Sequence, residues 1–143
     1  MSTIRSHYRC KAKIPMLIGQ LSIETRVNIE TIRYYERIQL LPAPARTSGG
    51  HRVYDAESLQ RLMFIRRSRE LGFSLNDIGT LLVLWDGKRD CAAKELTLRN
   101  LADVRGKIAR LQEREQVLRG MSEACKPGAQ NSCPIFDVLS GQT

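Results

Sequence analysis

Val27-Asn28-Ile29-Glu30-Thr31-Ile32-Arg33-Tyr34-Tyr35-Glu36-Arg37 decides how this chain folds. Asn28-Ile29-Glu30-Thr31 has the form of a capped helix start, and Ile29, Ile32 and Tyr35 recur at the spacing that gathers apolar groups on one helical face. The spacing predicts a helix running to about Gln39. Its other face carries Glu30, Thr31, Arg33, Tyr34 and Arg37, the donors and the aromatic ring that a helix reading base edges and phosphates needs. Upstream, Leu17, Ile18, Leu21 and the run from Ile23 to Val27 predict a helix of about two turns. Two helices joined by a tight turn within about twenty residues have the dimensions of a helix-turn-helix.

Beyond Pro42 and Pro44 the pattern changes to Arg46-Thr47-Ser48-Gly49-Gly50-His51-Arg52-Val53-Tyr54. A Gly-Gly pair between short polar and β-favouring arms predicts a hairpin, a wing beside the helix-turn-helix, and Arg46 and Arg52 on it suit clamping of backbone phosphates. Asp55 caps the next helix, expected from about Ala56 to Leu71, with Leu59, Leu62, Met63, Ile65 and Leu71 as its apolar residues and Gly72 as its stop. Its other face holds Arg61, Arg66, Arg67 and Arg69, either a solvated charge run or a further phosphate-facing surface. Ser74 caps the element after that, whose Ile78, Leu81, Leu82, Val83, Leu84 and Trp85 make it the most apolar of all. Trp85, the only tryptophan, reads as packing because it has no aromatic companion nearby in the sequence.

From Ala92 the period becomes seven. Leu101, Val104, Ile108 and Leu111 alternate in steps of three and four, Glu115 and Ser122 interrupt the stripe, Leu118 and Cys125 return to it, and too little chain remains to cover it. A second copy is the expected cover. Cys91 and Cys125 flank this stretch, and at about 1.5 Å per residue a continuous helix holds their sulfurs roughly 50 Å apart. If Cys91, Cys125 and Cys133 form one site, two antiparallel chains must build it. Cys10 has no partner nearby in sequence and reads as a bystander.

Of the 143 residues, 42% are hydrophobic and 27% charged, a globular balance with room for one compact domain and an extension. The net charge of +8 is uneven: residues 1–70 hold 13 Lys or Arg against 6 Asp or Glu, a net +7, and residues 71–143 hold 10 against 9, a net +1. A polyanion is the natural partner of the basic half, since each neutralised phosphate releases condensed counterions. No run of eighteen apolar residues occurs, so no membrane span is expected. Residues 1–15 have basic groups but no apolar core of a secretory signal, which makes a reducing cytoplasm the expected location and ligands or redox switches the expected use of the cysteines.

Ile18-Gly19-Gln20-Leu21, the stretch from Val27 to Arg37, Gly49-Gly50-His51-Arg52-Val53-Tyr54, Leu71-Gly72-Phe73-Ser74-Leu75 and Cys133-Pro134-Ile135 resemble, in order and in spacing, the MerR family of metal-responsive bacterial transcription factors. The resemblance covers about residues 16–140. It implies a mainly α fold: a winged helix-turn-helix over residues 16–86, a long antiparallel dimerisation helix forming a coiled coil over 91–125, and a metal-binding loop with a short terminal helix over 126–143. Residues 1–15 are then a basic extension without expected order, and Met16 matches the family's usual start. No enzyme is expected, because no nucleophile with base, His/Glu pair or phosphate loop is present. The resemblance implies a homodimer on double-stranded promoter DNA, with Thr31, Arg33, Tyr34, Arg46, Arg52 and Tyr54 at the DNA. It also implies activation through deformation of an over-long promoter so that RNA polymerase can engage both elements.

Cys91, Cys125 and Cys133 are the expected metal ligands. Thiolates favour mercury, lead, cadmium, zinc or monovalent copper over magnesium or calcium. In the family, sensors of divalent ions have a cysteine at the start of the dimerisation helix and copper sensors a serine, so Cys91 matches the divalent pattern. The seven residues between Cys125 and Cys133 match the copper branch instead. Structural zinc usually takes four sulfur or nitrogen ligands. The only histidines, His7 and His51, lie far from this loop in sequence, which favours a three-coordinate ion such as mercury or lead. The alternatives are a copper-type site made of Cys125 and Cys133 alone and a thiol redox switch between the same two residues.

Overall fold

The structure, a computed structural model, describes residues 15–87, 92–128 and 133–141. These fall into two units divided after Ala93. The first contains β1 (Met16–Leu17), α1 (Ile18–Thr25), α2 (Ile29–Arg37), β2 (Ala45–Arg46), β3 (Arg52–Tyr54), α3 (Ala56–Glu70) and α4 (Leu75–Asp86), and the second is built on α5 (Ala92–Ala124) and α6 (Pro134–Leu139). The mainly α winged architecture is as expected. Residues 1–14, with Cys10, and Cys91 lie outside the described residues.

The turn between α1 and α2 is held by its own side chains. Arg26 takes a left-handed conformation (φ 54°) that ends α1, Ser22 Oγ donates to the Val27 carbonyl at 2.7 Å, and Asn28 Oδ1 accepts the Glu30 N–H at 2.8 Å. α2 stops at Arg37, short of the expected Gln39. Gln39 turns left-handed (φ 62°), and the N–H groups of Leu40 and Leu41 both fold back to the Tyr35 carbonyl, at 3.0 and 3.1 Å. That turn drives Leu40 and Leu41 into the core beside Leu21, Ile32 and Tyr35.

A small antiparallel sheet in the order β1-β3-β2 forms the wing. Met16 pairs with Tyr54 and Leu17 with Val53 on one side of β3, while Ala45 pairs with Val53 and Arg46 with Arg52 on the other. Gly50 makes the turn, with φ 81° and its N–H on the Thr47 carbonyl at 2.9 Å. Leu17, expected in a helix, is instead a strand residue, because β3 offers its free edge to the chain before α1.

Asp55 and Ser74 cap α3 and α4 as expected, accepting the N–H of Ser58 at 2.8 Å and of Asp77 at 3.1 Å. The bond from Ser58 holds the Asp55 carboxyl below its ordinary value. The end of α3 differs from the expectation: Leu71 is 67% exposed and Phe73 is buried. Gly72, with φ 87°, reverses the chain so that the Phe73 N–H reaches the Ser68 carbonyl at 3.1 Å, and Phe73 takes the inward place. Trp85 does have an aromatic companion, since Phe64 of α3 stacks on it with centroids 4.7 Å apart and planes 14° apart. The two line a cavity of about 510 Å³ with Leu59, Met63 and Leu71.

In the second unit α5 runs unbroken for 33 residues, about 50 Å at helical rise. Leu101, Val104, Ile108, Leu111 and Leu118 are all exposed along it. Asp103 and Lys107 pair at 2.6 Å one turn apart, and Glu115 and Arg119 form a second pair at the same spacing in sequence. The bond from Lys107 lowers the Asp103 carboxyl. α6 begins at Pro134, a favoured first position because its missing N–H is not needed there. No helix of the described residues is long and apolar enough to cross a membrane.

Candidate nucleic-acid interface and thiol site

The exposed face of α2 carries the residues expected there. Arg33 leans on Glu30 at 3.0 Å, with both side chains open to solvent, so the pair is weak and easily exchanged for a phosphate or base. Tyr34 is exposed, and the Arg37 guanidinium lies 5.9 Å from its ring centroid. On the wing, Arg46 Nη1 donates to the Gly50 carbonyl at 3.0 Å and stands opposite Arg52 across the ladder.

These side chains converge. Arg33, Arg46, His51 and Arg52 line one concave surface of about 580 Å³ together with Gln20 and Gly19 at the start of α1. A cleft lined by one sign of charge concentrates an oppositely charged ligand. Gln20 and the α1 start belong to this surface because β1 ties them to β3. Sequence spacing could not reveal them, since a two-residue strand has no periodicity of its own.

Tyr54 is a correction. Its side chain is 1% exposed, and its hydroxyl donates to the Glu36 carboxylate. Burial and that hydrogen bond together push the phenol well above its ordinary value. Tyr54 therefore joins β3 to α2 and presents nothing to a ligand. Glu36, absent from the expected site residues, is the other half of this joint. Its Oε2 also lies 3.4 Å from Arg52 Nε, with side-chain exposures of 11% for Glu36 and 35% for Arg52.

Three of the four α3 arginines turn out to be structural. Arg61 donates to the Leu40 carbonyl at 3.0 Å and pairs with Asp86 at 2.7 Å. Arg66 donates to the Thr25 carbonyl at 2.9 Å and pairs with Glu70 at 2.8 Å. Arg69 reaches the Phe73 carbonyl at 3.0 Å. They satisfy the carbonyl that ends α1, one a helix leaves without an intrahelical partner, and loop carbonyls beyond α2 and α3.

At the far end of α5, Cys125 follows the last helical residue and is exposed, Cys133 precedes Pro134 and is half-buried, and both are free thiols. Cys125 shares a cavity of about 410 Å³ with Leu118, Met121, Ser122 and Ile135. Soft sulfur donors beside an apolar wall fit a thiophilic ion and offer little to a hard, oxygen-seeking one. Among the described residues no three metal-ligating side chains gather. Cys91, the third expected ligand, precedes α5 in sequence and lies outside the described residues.

The family description "MerR HTH family regulatory protein" matches residues 16–83, and "MerR, DNA binding" matches residues 59–121. The mercuric resistance operon regulatory protein of Bacillus cereus is 41% identical over 127 residues, covering 85% of this chain and 95% of the relative. The transcription regulator PbrR691 of Ralstonia metallidurans CH34, solved in complex with lead(II), superposes with a TM-score of 0.72 at 36% identity, covering 87% of this chain and 98% of that one. The regulator MerR of Bacillus megaterium MB1, solved with mercury(II), gives 0.63 at 37% identity over 87% and 99%. With a winged helix-turn-helix, a converging cationic face and relatives matched over nearly their full length, the chain belongs to the MerR family of DNA-binding transcriptional regulators and is not an enzyme.

Proposed function

We propose that this regulator acts in the cytoplasm as a homodimer on promoter DNA and activates a metal-resistance or efflux operon when a thiophilic divalent ion, mercury, lead, cadmium or zinc, binds Cys91 of one chain with Cys125 and Cys133 of its partner. The observation that carries the reading is one uninterrupted helix, Ala92 to Ala124, with a cysteine adjoining each end and an uncovered apolar stripe between them. The stripe supports a second copy, and the helix length holds each chain's own Cys91 far from its Cys125, so the Cys91 of this site is supplied by the other copy. An ion bound there supplies a crosslink between chains. On the DNA, Arg33, Tyr34 and Thr31 address the major groove and Arg46 and Arg52 the backbone, and RNA polymerase benefits from the deformed duplex.

Competitive titration of the reduced protein with mercury(II), lead(II), cadmium(II), zinc(II) and copper(I) tests the ion. Cys91→Ser should abolish the transcriptional response to divalent ions, and an unchanged mercury or lead response in that variant would sink the three-cysteine site. A second reading is favoured by the seven residues between Cys125 and Cys133, the spacing of the copper branch: a linear copper(I) site made by Cys125 and Cys133 alone. It requires copper(I) to win the competition and Cys91→Ser to leave that affinity intact.

A further inference from the structure

We propose that Glu36 is a specificity-determining positioning residue: its carboxylate fastens the wing to the recognition helix and holds Arg52 by one donor, leaving the others for a phosphate of correctly docked DNA. The inference rests on the reading of this unit as a binder of duplex DNA.

Glu36 lies one turn beyond the buried Ile32 and beside Arg33 on α2, where its side chain faces β3. Two groups of β3 meet it there. The Tyr54 hydroxyl donates to Oε1, and Arg52 Nε lies 3.4 Å from Oε2. Arg52 and Tyr54 are two apart on a strand and therefore share a face, which is why one carboxylate can hold both. At 11% exposure the carboxylate has little water to compete for it, and the wing's angle to α2 is set by these two contacts.

The electrostatics follow from the same geometry. Arg46 and Arg52 stand opposite each other on the ladder, a like-charge pair that is unfavourable alone. Glu36 offsets it from one side. Arg52 also lines the concave surface shared with Arg33 and Arg46, and a guanidinium has five N–H donors, so occupation of Nε leaves donors for an external acceptor. A duplex lying anywhere on the basic face meets an Arg52 that is already partnered and a carboxylate that repels phosphate. A duplex seated by the bases under α2 brings a phosphate to the one place where Arg52 can serve both. Glu36 thus lowers loose binding more than seated binding.

The test uses the full-length protein and two probes: a duplex selected by the wild type from a random pool, and a scrambled duplex of the same composition. Binding of each is followed by fluorescence anisotropy across a salt series. Glu36→Gln keeps an oxygen for the Tyr54 hydroxyl while removing the charge, and a thermal melt checks that it folds. It should bind the scrambled duplex about fivefold to tenfold more tightly and the selected duplex no more tightly, with a scrambled-duplex salt slope steeper by about one ion. Adding Arg52→Ala should cancel that gain. Tyr54→Phe, which keeps the charge pair, should discriminate within about twofold of wild type. Equal changes on both probes, or an unaltered scrambled-duplex slope, would overturn the role given to Glu36. A wild type for which no duplex can be selected would overturn the DNA-binding reading first, before any variant is compared.

Discussion

Arg33 and Arg46 border the same concavity but are held differently, and their losses should differ in kind. Arg33 sits on a recognition helix with only an exposed, exchangeable partner, so Arg33→Ala should cost about 1–3 kcal/mol on the preferred duplex and relax base preference at one position. Arg46 is anchored to the wing turn through the Gly50 carbonyl. Arg46→Ala should weaken all duplexes alike and flatten the salt slope by about one, measured by anisotropy titrations between low and moderate salt. A change of sequence preference in Arg46→Ala would contradict its backbone role. Arg33 and Arg46 were legible from sequence because they fall on a predicted polar helical face and a predicted turn, although Arg61 and Arg66 show that such a face does not by itself send a side chain to solvent. Tyr54 was not, because its ring and its hydroxyl favour different surroundings, and only the distant Glu36 decides that both lie inside. Arg52 shares that face of β3 but is long enough to emerge from it.

Helix caps are the local elements that the sequence specified best. Asn28, Asp55 and Ser74 each accept the N–H that their position calls for, because a cap needs only residues two or three positions away. Asp55→Ala should remove about 1 kcal/mol of stability, read as a lower urea midpoint with an unchanged slope. The same contact has a pH signature. Bonding from Ser58 lowers the Asp55 carboxyl in the folded protein from its ordinary 3.8, so its stabilisation is complete above that value and is lost as pH falls through the lower, folded one. Wild type and Asp55→Ala should therefore converge in stability as the solution is acidified past pH 3.8. What local sequence could not show was β1, which exists only because β3 has an edge for it, and the exchange of Leu71 for Phe73, which depends on where Gly72 sends the chain. Both are decided by residues outside the window in which a period is read.

Over the whole molecule, the seven-residue repeat of α5 made the exposed stripe legible, and the described side chains leave it open. On the proposed dimer, Ile108→Lys should shift sedimentation from dimer toward monomer at micromolar concentration and cost far more DNA affinity than any single contact residue, since one chain would then offer only half of the DNA-binding surface. A dimer that persists in Ile108→Lys would place the contact between copies elsewhere. The carbonyl-bound arginines of α3 bear on the molecule's charge as a whole. Arg61, Arg66 and Arg69 act as internal crosslinks to carbonyl oxygens, so the basic excess of residues 1–70 overstates the field that reaches a duplex. The number of ions displaced when DNA binds should track the wing and α2, and an acidic surface substitution elsewhere on α3 would leave it nearly constant. Cationic charge in this domain is divided between two uses, and most of the α3 cluster serves the fold.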